Sequence, residues 1–240
     1  MALTIEGGIT IGGGIGIGPD ILPPNYSSLV MNLDAAEYGG SGPWIDTVNG
    51  LSFTLNNSPT YSPSIGGGSF NFVPASSQWA ECATSLASIS IWSVEVWHYY
   101  TGVTSGSLPC IITETFVGGN INYTLGYPAN GSPDFQAGFF NGGWQVTPTG
   151  YTLPTSNAWY QIVGTYDGTT IKLYVNDTLI NSTTYSGAIG SSNAGIRLMN
   201  RWDSADYWGG KLGIVRIYDE DIGAAGVTSN WNANRARFGL

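Results

Sequence analysis

Residues 159–182 read WYQIVGTYDGTTIKLYVNDTLINS, and this stretch decides the fold. Ile171, Leu173 and Val175 alternate with Thr170, Lys172 and Tyr174, the period of two that a strand with one buried face requires. Asp167-Gly168 on one side and Asn176-Asp177 on the other are residue pairs that tolerate positive φ and close two-residue hairpins. The reading is a three-strand antiparallel meander.

Working outward, residues 90–100 (SIWSVEVWHYY) also alternate. Trp92, Val94, Val96 and His98 mark one face, and Ser93, Glu95, Trp97 and Tyr99 the other. Further strands are expected over residues 29–33, 69–73, 111–116, 120–126, 135–140, 144–146, 195–199 and 211–218, with one short helix over 222–234. Composition agrees: 35 Gly, 13% aromatics and only two lysines describe many strands joined by tight turns. Charged residues make up 10%, against about 25% in ordinary soluble domains. The expected class is all-β.

The first 25 residues differ. From Ile9 to Gly18 the chain reads ITIGGGIGIG, apolar residues at period two with nothing between them to cover them. Gly18-Pro19-Asp20 and Pro23-Pro24 then form a stiff joint. The organisation expected is an extended arm over 1–25 and a globular domain over 26–240.

Net charge is −9, from 7 basic and 16 acidic residues, which argues against a nucleic-acid partner. Arg235 and Arg237 are the only local basic cluster, expected to be solvated or to face a helix C-terminus. The N-terminus lacks the basic start and apolar run of a secretory signal, and no apolar stretch is long enough for a membrane insertion. Assembly in a cytosol is the expectation. Cys82 and Cys110 read as two buried thiols in preference to a single bridge.

Three stretches, SVEVWHYY at 93–100, WYQIVGTYDGTTIKLYVNDTLI at 159–180 and YWGGKLGIVRIYDEDI at 207–222, resemble the concanavalin A-like lectin/glucanase superfamily in its laminin-G-like form. The resemblance covers about residues 26 to 222 in pattern and implies a jelly-roll β-sandwich of two antiparallel sheets. The ending SNWNANRARFGL at 229–240 and the Ile/Gly-rich start resemble virion structural proteins of tailed bacteriophages.

Chemistry is sparse. A glucanase of this superfamily would carry paired carboxylates on one strand, and retaining hydrolysis needs them about 5–5.5 Å apart. Glu95 stands near the expected place, but Trp97 occupies the position of its aspartate partner. Glu114 stands alone, and Asp219-Glu220-Asp221 reads as a solvated turn. His98, the single histidine, has no serine motif or zinc spacing around it and reads as structural. No enzyme is expected and no cofactor is required. Calcium at a sandwich rim would draw on Asp34, Asp46 and Asn49, or on Asp203 and Asp206, although neither group makes a recognisable loop.

The strongest surface candidate is the connection over residues 200–208. Arg201, Trp202, Asp203, Asp206, Tyr207 and Trp208 combine aromatic faces for stacking on sugar rings with groups that orient hydroxyls. The competing reading puts Trp202 and Trp208 on the core and pairs Arg201 with Asp203 or Asp206. At the other end, Ile5, Ile9, Ile11, Ile15 and Ile17 are the candidate anchoring residues, docking by strand addition on a neighbour. The function expected is a virion structural protein (capsid decoration, head fibre or tail component) held by its arm to other virion proteins. It would be a homo-oligomer, with a trimer favoured. The alternative is an adhesin contacting host surface glycans.

Overall fold

The computed structural model describes residues 4–5, 9–10, 27–86, 89–115, 119–126, 134–185, 187, 189–190, 195–202 and 206–240. The meander is present as Ala158–Tyr166, Thr170–Val175 and Thr178–Thr184, paired antiparallel. Asn176 and Asp177 take φ of 48° and 60°, the left-handed pair a tight two-residue turn requires. The other turn differs from expectation. In it Gly168 takes the expected positive φ, 95°, whereas Asp167, whose N–H donates to Thr170 O at 3.3 Å, does not. Its Oδ1 instead accepts the backbone N–H groups of Thr169 (2.8 Å) and Thr170 (2.7 Å), so an aspartate side chain makes the bend.

Two eight-stranded antiparallel sheets form the sandwich. In the first, Trp92–Ser105 lies between Ala158–Tyr166 and Tyr207–Tyr218. Leu29–Asp34, Ser69–Phe72 and Thr60–Ser62 continue beyond Tyr207–Tyr218. The second runs in the order Trp144–Val146, Gln136–Asn141, Asn120–Gly126, Cys110–Glu114, Ile196–Leu198, Trp79–Cys82, Ser52–Asn56 and Trp44–Ile45. Trp92, Val94 and Val96 face inward to meet Ile112, Leu125, Ala137 and Leu198 of the other sheet. At Gly164 the sheets come so close that a Cβ would stand 2.7 Å from Leu125 Cδ2 and 2.8 Å from Ala137 Cβ.

The outer face of the first sheet is covered by the helix Gly223–Asn234 and the following turn Arg235–Phe238. Glycines, asparagines and Thr228 give this helix little intrinsic stability, so packing must hold it. Trp231 stacks on Trp97 at 5.6 Å and 9°, and Phe238 on Trp97 at 4.6 Å. Val227 and Ile222 close over Val163, Tyr174 and Tyr218. Under the helix, fully buried Glu95 accepts from Trp97 Nε1, Gln161 Nε2 and Asn230 Nδ2, each at 2.8 Å, and ion-pairs with Arg216 at 3.4 Å. Both arginines stand in the last turn of this closing segment and Arg235 is exposed, but Arg237 is not simply solvated. It forms a two-pronged ion pair with Asp34 (2.6 and 2.7 Å) and donates to Gly66 O at 2.6 Å, tying the C-terminus to the first sandwich strand.

At the N-terminus, Thr4–Ile5 and Ile9–Thr10 pair with each other, Ile5 opposite Ile9, in a ladder separate from both sandwich sheets. Apart from these four residues, the arm expected over residues 1–25 lies outside the described residues. Ile11, Ile15 and Ile17 lie outside the described residues. No helix among the described residues is long and apolar enough to cross a membrane. Cys82 and Cys110 are both buried, and Cys110 Sγ accepts from Thr124 Oγ1 at 3.5 Å.

Candidate functional site

The second sheet has one face on the core and one turned away from it. Thr113 is paired with Thr124 and Arg197, Thr124 with Gly138, Gly138 with Val146, and Arg197 with Glu81. Directly opposed residues share a face, and alternation from Ile112, Leu125 and Ala137 puts this row outward. Two residues further along, Phe140 is paired with Trp144 on the same face, their rings 5.2 Å apart at 75°. Gly142 and Gly143 bring the two strands together in the hairpin that creates this pair, with Gly142 at φ 67°.

A loop from the other side of the sheet reaches this pair. After Ile196–Leu198, Met199 adopts φ 63° and turns the chain away, and the Asn200–Tyr207 bridge closes the base of the loop. Arg197 holds the loop against the sheet. Its Nη1 donates to Asn200 Oδ1 (3.2 Å), Arg201 O (3.2 Å) and Trp202 O (2.9 Å), while its Nε faces Glu81 Oε2 at 3.2 Å. Trp202 thereby meets Trp144 with ring centroids 5.3 Å apart at 46°. The Arg201 guanidinium lies 4.2 Å over the Trp202 ring. Phe140, Trp144 and Trp202 are each half-buried, so part of the strip faces solvent.

The structure divides the residues expected in this connection. Arg201 and Trp202 belong to the strip. Asp206 does not: it is buried and accepts the N–H groups of Ser107 (3.1 Å) and Leu108 (3.0 Å) while pairing with Arg201 at 3.2 Å. It clamps two loops together, and Gly106 has no Cβ because one would fall on its carboxylate. For Trp208 the structure agrees with the competing core reading and not with the glycan-binding one. Trp208 is fully buried, packs on Phe135 at 4.9 Å and donates Nε1–H to His98 Nε2 at 3.0 Å, so it is core. Tyr207 is half-buried against Trp79. Asp203 lies outside the described residues.

Sequence reasoning missed Phe140 and Trp144. The strands carrying them were expected, but the contact with Trp202 joins positions 58 residues apart. The GG pair between Asn141 and Trp144 was the one local signal, since it sets Phe140 opposite Trp144.

The other candidate groups are engaged elsewhere. His98 is fully buried, and burial lowers its pKa from 6.5 to about 3. It accepts from Trp208 at Nε2, so Nδ1 carries the proton and donates to Lys211 O at 3.0 Å. Glu95 lies beneath the helix, on the opposite sheet from the strip. Glu114 accepts Asn122 N–H at 2.6 Å. In the acidic run, Asp221 is no solvated turn residue. It pairs with Lys172 at 3.0 Å and accepts Gly223 N–H at 2.8 Å. Of the calcium candidates, Asp34 is held by Arg237, and Asp46 accepts three backbone N–H groups, of Asn32, Val48 and Asn49. Among the described residues no three His, Cys, Asp or Glu side chains gather as a metal cluster.

Similarly folded structures include domain 4 of AbnA, a GH43 extracellular arabinanase from Geobacillus stearothermophilus, solved with arabinotriose. It is 16% identical at a TM-score of 0.68, over 85% of this chain and 98% of that one. The receptor-binding domain of botulinum neurotoxin type G is 16% identical at 0.62, over 86% and 51%. The binding domain of botulinum neurotoxin DC, in complex with SialylT, is 14% identical at 0.64, over 86% and 51%. The chain thus spans about half the length of these two neurotoxin domains. No curated protein matches the sequence. Residues 74–228 match the family model described as the concanavalin A-like lectin/glucanases superfamily. With more than half of its length matched on a two-sheet antiparallel sandwich, the chain belongs to that superfamily.

Proposed function

We propose that the chain is a carbohydrate-recognition module that binds glycan on the strip of Phe140, Trp144 and Trp202. The observation that carries this reading is the 5.3 Å contact between Trp144 and Trp202, two partly buried indoles from remote parts of the chain, Trp144 on the sheet face turned away from the core and Trp202 in the loop that crosses to it. Indole faces pack against the C–H faces of sugar rings, and the Arg201 guanidinium beside them offers planar donors to hydroxyls. The arabinanase domain with arabinotriose and the neurotoxin domain with SialylT lend support as sandwiches of like fold. The module binds without cleaving: Glu95, the carboxylate placed nearest a hydrolase motif, is sealed under the helix and paired with Arg216. The test is Trp144→Ala and Trp202→Ala, each measured on a glycan array and by thermal unfolding. Loss of binding with Tm close to wild type supports the reading; binding retained in both variants contradicts it.

A second reading concerns where the module is displayed. The paired strands Thr4–Ile5 and Ile9–Thr10 join neither sandwich sheet. With the Ile/Gly repeat over 9–18, this favours an N-terminal anchor, including Ile5, Ile9, Ile11, Ile15 and Ile17, that docks on another virion protein. On this reading residues 26–240 are the displayed, lectin-like part of a tailed-phage virion component present in several copies, as a trimer or another symmetric set. Deleting residues 2–18 then abolishes incorporation into particles and leaves glycan binding intact. Unchanged incorporation sinks the anchor.

A further inference from the structure

We infer that the strip selects uncharged glycans and rejects sugars carrying carboxylate or sulfate. This rests on the carbohydrate-recognition reading and names the ligand class for that same surface. Each cation at the site already faces a carboxylate. Arg201 Nη1 lies 3.2 Å from Asp206 Oδ2, and Arg197 Nε lies 3.2 Å from Glu81 Oε2. Arg197 also places its Nη1 on three oxygens of the protein, Asn200 Oδ1, Arg201 O and Trp202 O, so that group is engaged in holding the loop.

The geometry beyond the ion pairs points the same way. An aromatic face carries the negative lobe of its quadrupole, so Phe140, Trp144 and Trp202 favour C–H groups and disfavour an anion laid over them. Among the described residues the one cation on an indole face, Arg201 over Trp202 at 4.2 Å, is the cation paired with Asp206. The chain as a whole carries −9, which repels anionic ligands at long range. A site for acidic sugars would instead present a guanidinium free to make a two-pronged contact with the ligand carboxylate.

The experiment titrates the full chain with two probe sets matched in size: arabinotriose, xylotriose and maltotriose as neutral probes, and 3′-sialyllactose and trigalacturonate as anionic ones. At least one neutral probe is expected to bind at least about tenfold tighter than either anionic probe. Its affinity is expected to stay within about twofold between 50 and 500 mM salt. Glu81→Gln removes the carboxylate facing Arg197 and is expected to raise anionic affinity relative to neutral several-fold, a change that a purely structural Glu81 would not produce. An anionic probe binding wild type as tightly as the best neutral one overturns the inference. In that case Trp202→Ala still removes binding if the strip is the site, so the recognition reading survives. Should wild type bind no probe in either set, both fall together.

Discussion

Trp208 Nε1 donates to His98 Nε2 at 3.0 Å in the interior of the sandwich, and this bond fixes the tautomer of the neutral ring, with its proton on Nδ1 facing Lys211 O. The ring has no room to protonate at Nε2 without losing that bond. Burial is the main cause of the neutral state and lowers the pKa to about 3 from 6.5.

Stability should therefore fall in acid. Below pH 6.5 the unfolded chain binds a proton at this residue that the folded chain does not bind until about pH 3. Unfolding free energy drops as pH falls through that window, by up to about 1.4 kcal/mol per pH unit and of order 5 kcal/mol over the whole span. Urea unfolding at a series of pH values between 3 and 7 measures the slope. His98→Gln is expected to flatten it, and an unchanged slope in that variant would show that other groups set the acid limb.

Glu95→Gln should destabilise strongly, for a structural reason. It leaves Arg216, 2% exposed, without its countercharge beneath the helix. Breaking a buried pair from one side costs about 3–5 kcal/mol. The Gly223–Asn234 helix should loosen first, seen as altered tryptophan fluorescence from the Trp97–Trp231 stack. A variant with wild-type Tm would contradict the role assigned to this network.

Gly164→Val should destabilise by overpacking. Its Cβ would meet Leu125 and Ala137 of the opposite sheet at 2.7 and 2.8 Å. Inserting methyl groups into a filled core costs about 1–3 kcal/mol, read directly by thermal unfolding. Leu125→Ala in the same background is expected to recover part of the loss, which a general strand-propensity effect would not do.

Arg237→Lys should lower Tm although it preserves charge. The guanidinium spans both oxygens of Asp34 and also Gly66 O, and an ammonium cannot reproduce that fork. An expected loss of about 1–3 kcal/mol can be checked by double-mutant cycle with Asp34→Asn. Additive effects in the cycle would show that the two side chains do not act as a pair.

The meander around residues 170–175 was legible in the sequence because its alternation is strict and its turn residues are strong. So was the division of Trp92–Ser105 into an inward and an outward face. Trp44–Ile45, Ser52–Asn56, Thr60–Ser62 and Trp79–Cys82 were not, since pieces this short carry too few periods to separate from loop. The sequence leaves Trp208 between surface and core because its strand begins at Tyr207, four residues before the start read from the sequence; inside that strand Trp208 faces the core. At the Asp167-Gly168 turn the glycine takes the positive φ its preference encodes, while the side-chain bonds of Asp167 are not read from that preference. The binding strip was half legible: Arg201 and Trp202 stand in a polar loop, whereas Trp144 reaches them only through the folding of the whole second sheet.

The most direct test of sugar recognition on the strip is a nitrogen-15 NMR titration that follows the indole N–H signals of the tryptophans as a neutral oligosaccharide is added. The account predicts that Trp144 and Trp202 shift together and saturably, while buried Trp44, Trp92, Trp97 and Trp208 stay still. Shifts confined to other indoles, or a saturating ligand that leaves Trp144 and Trp202 unmoved, would contradict it.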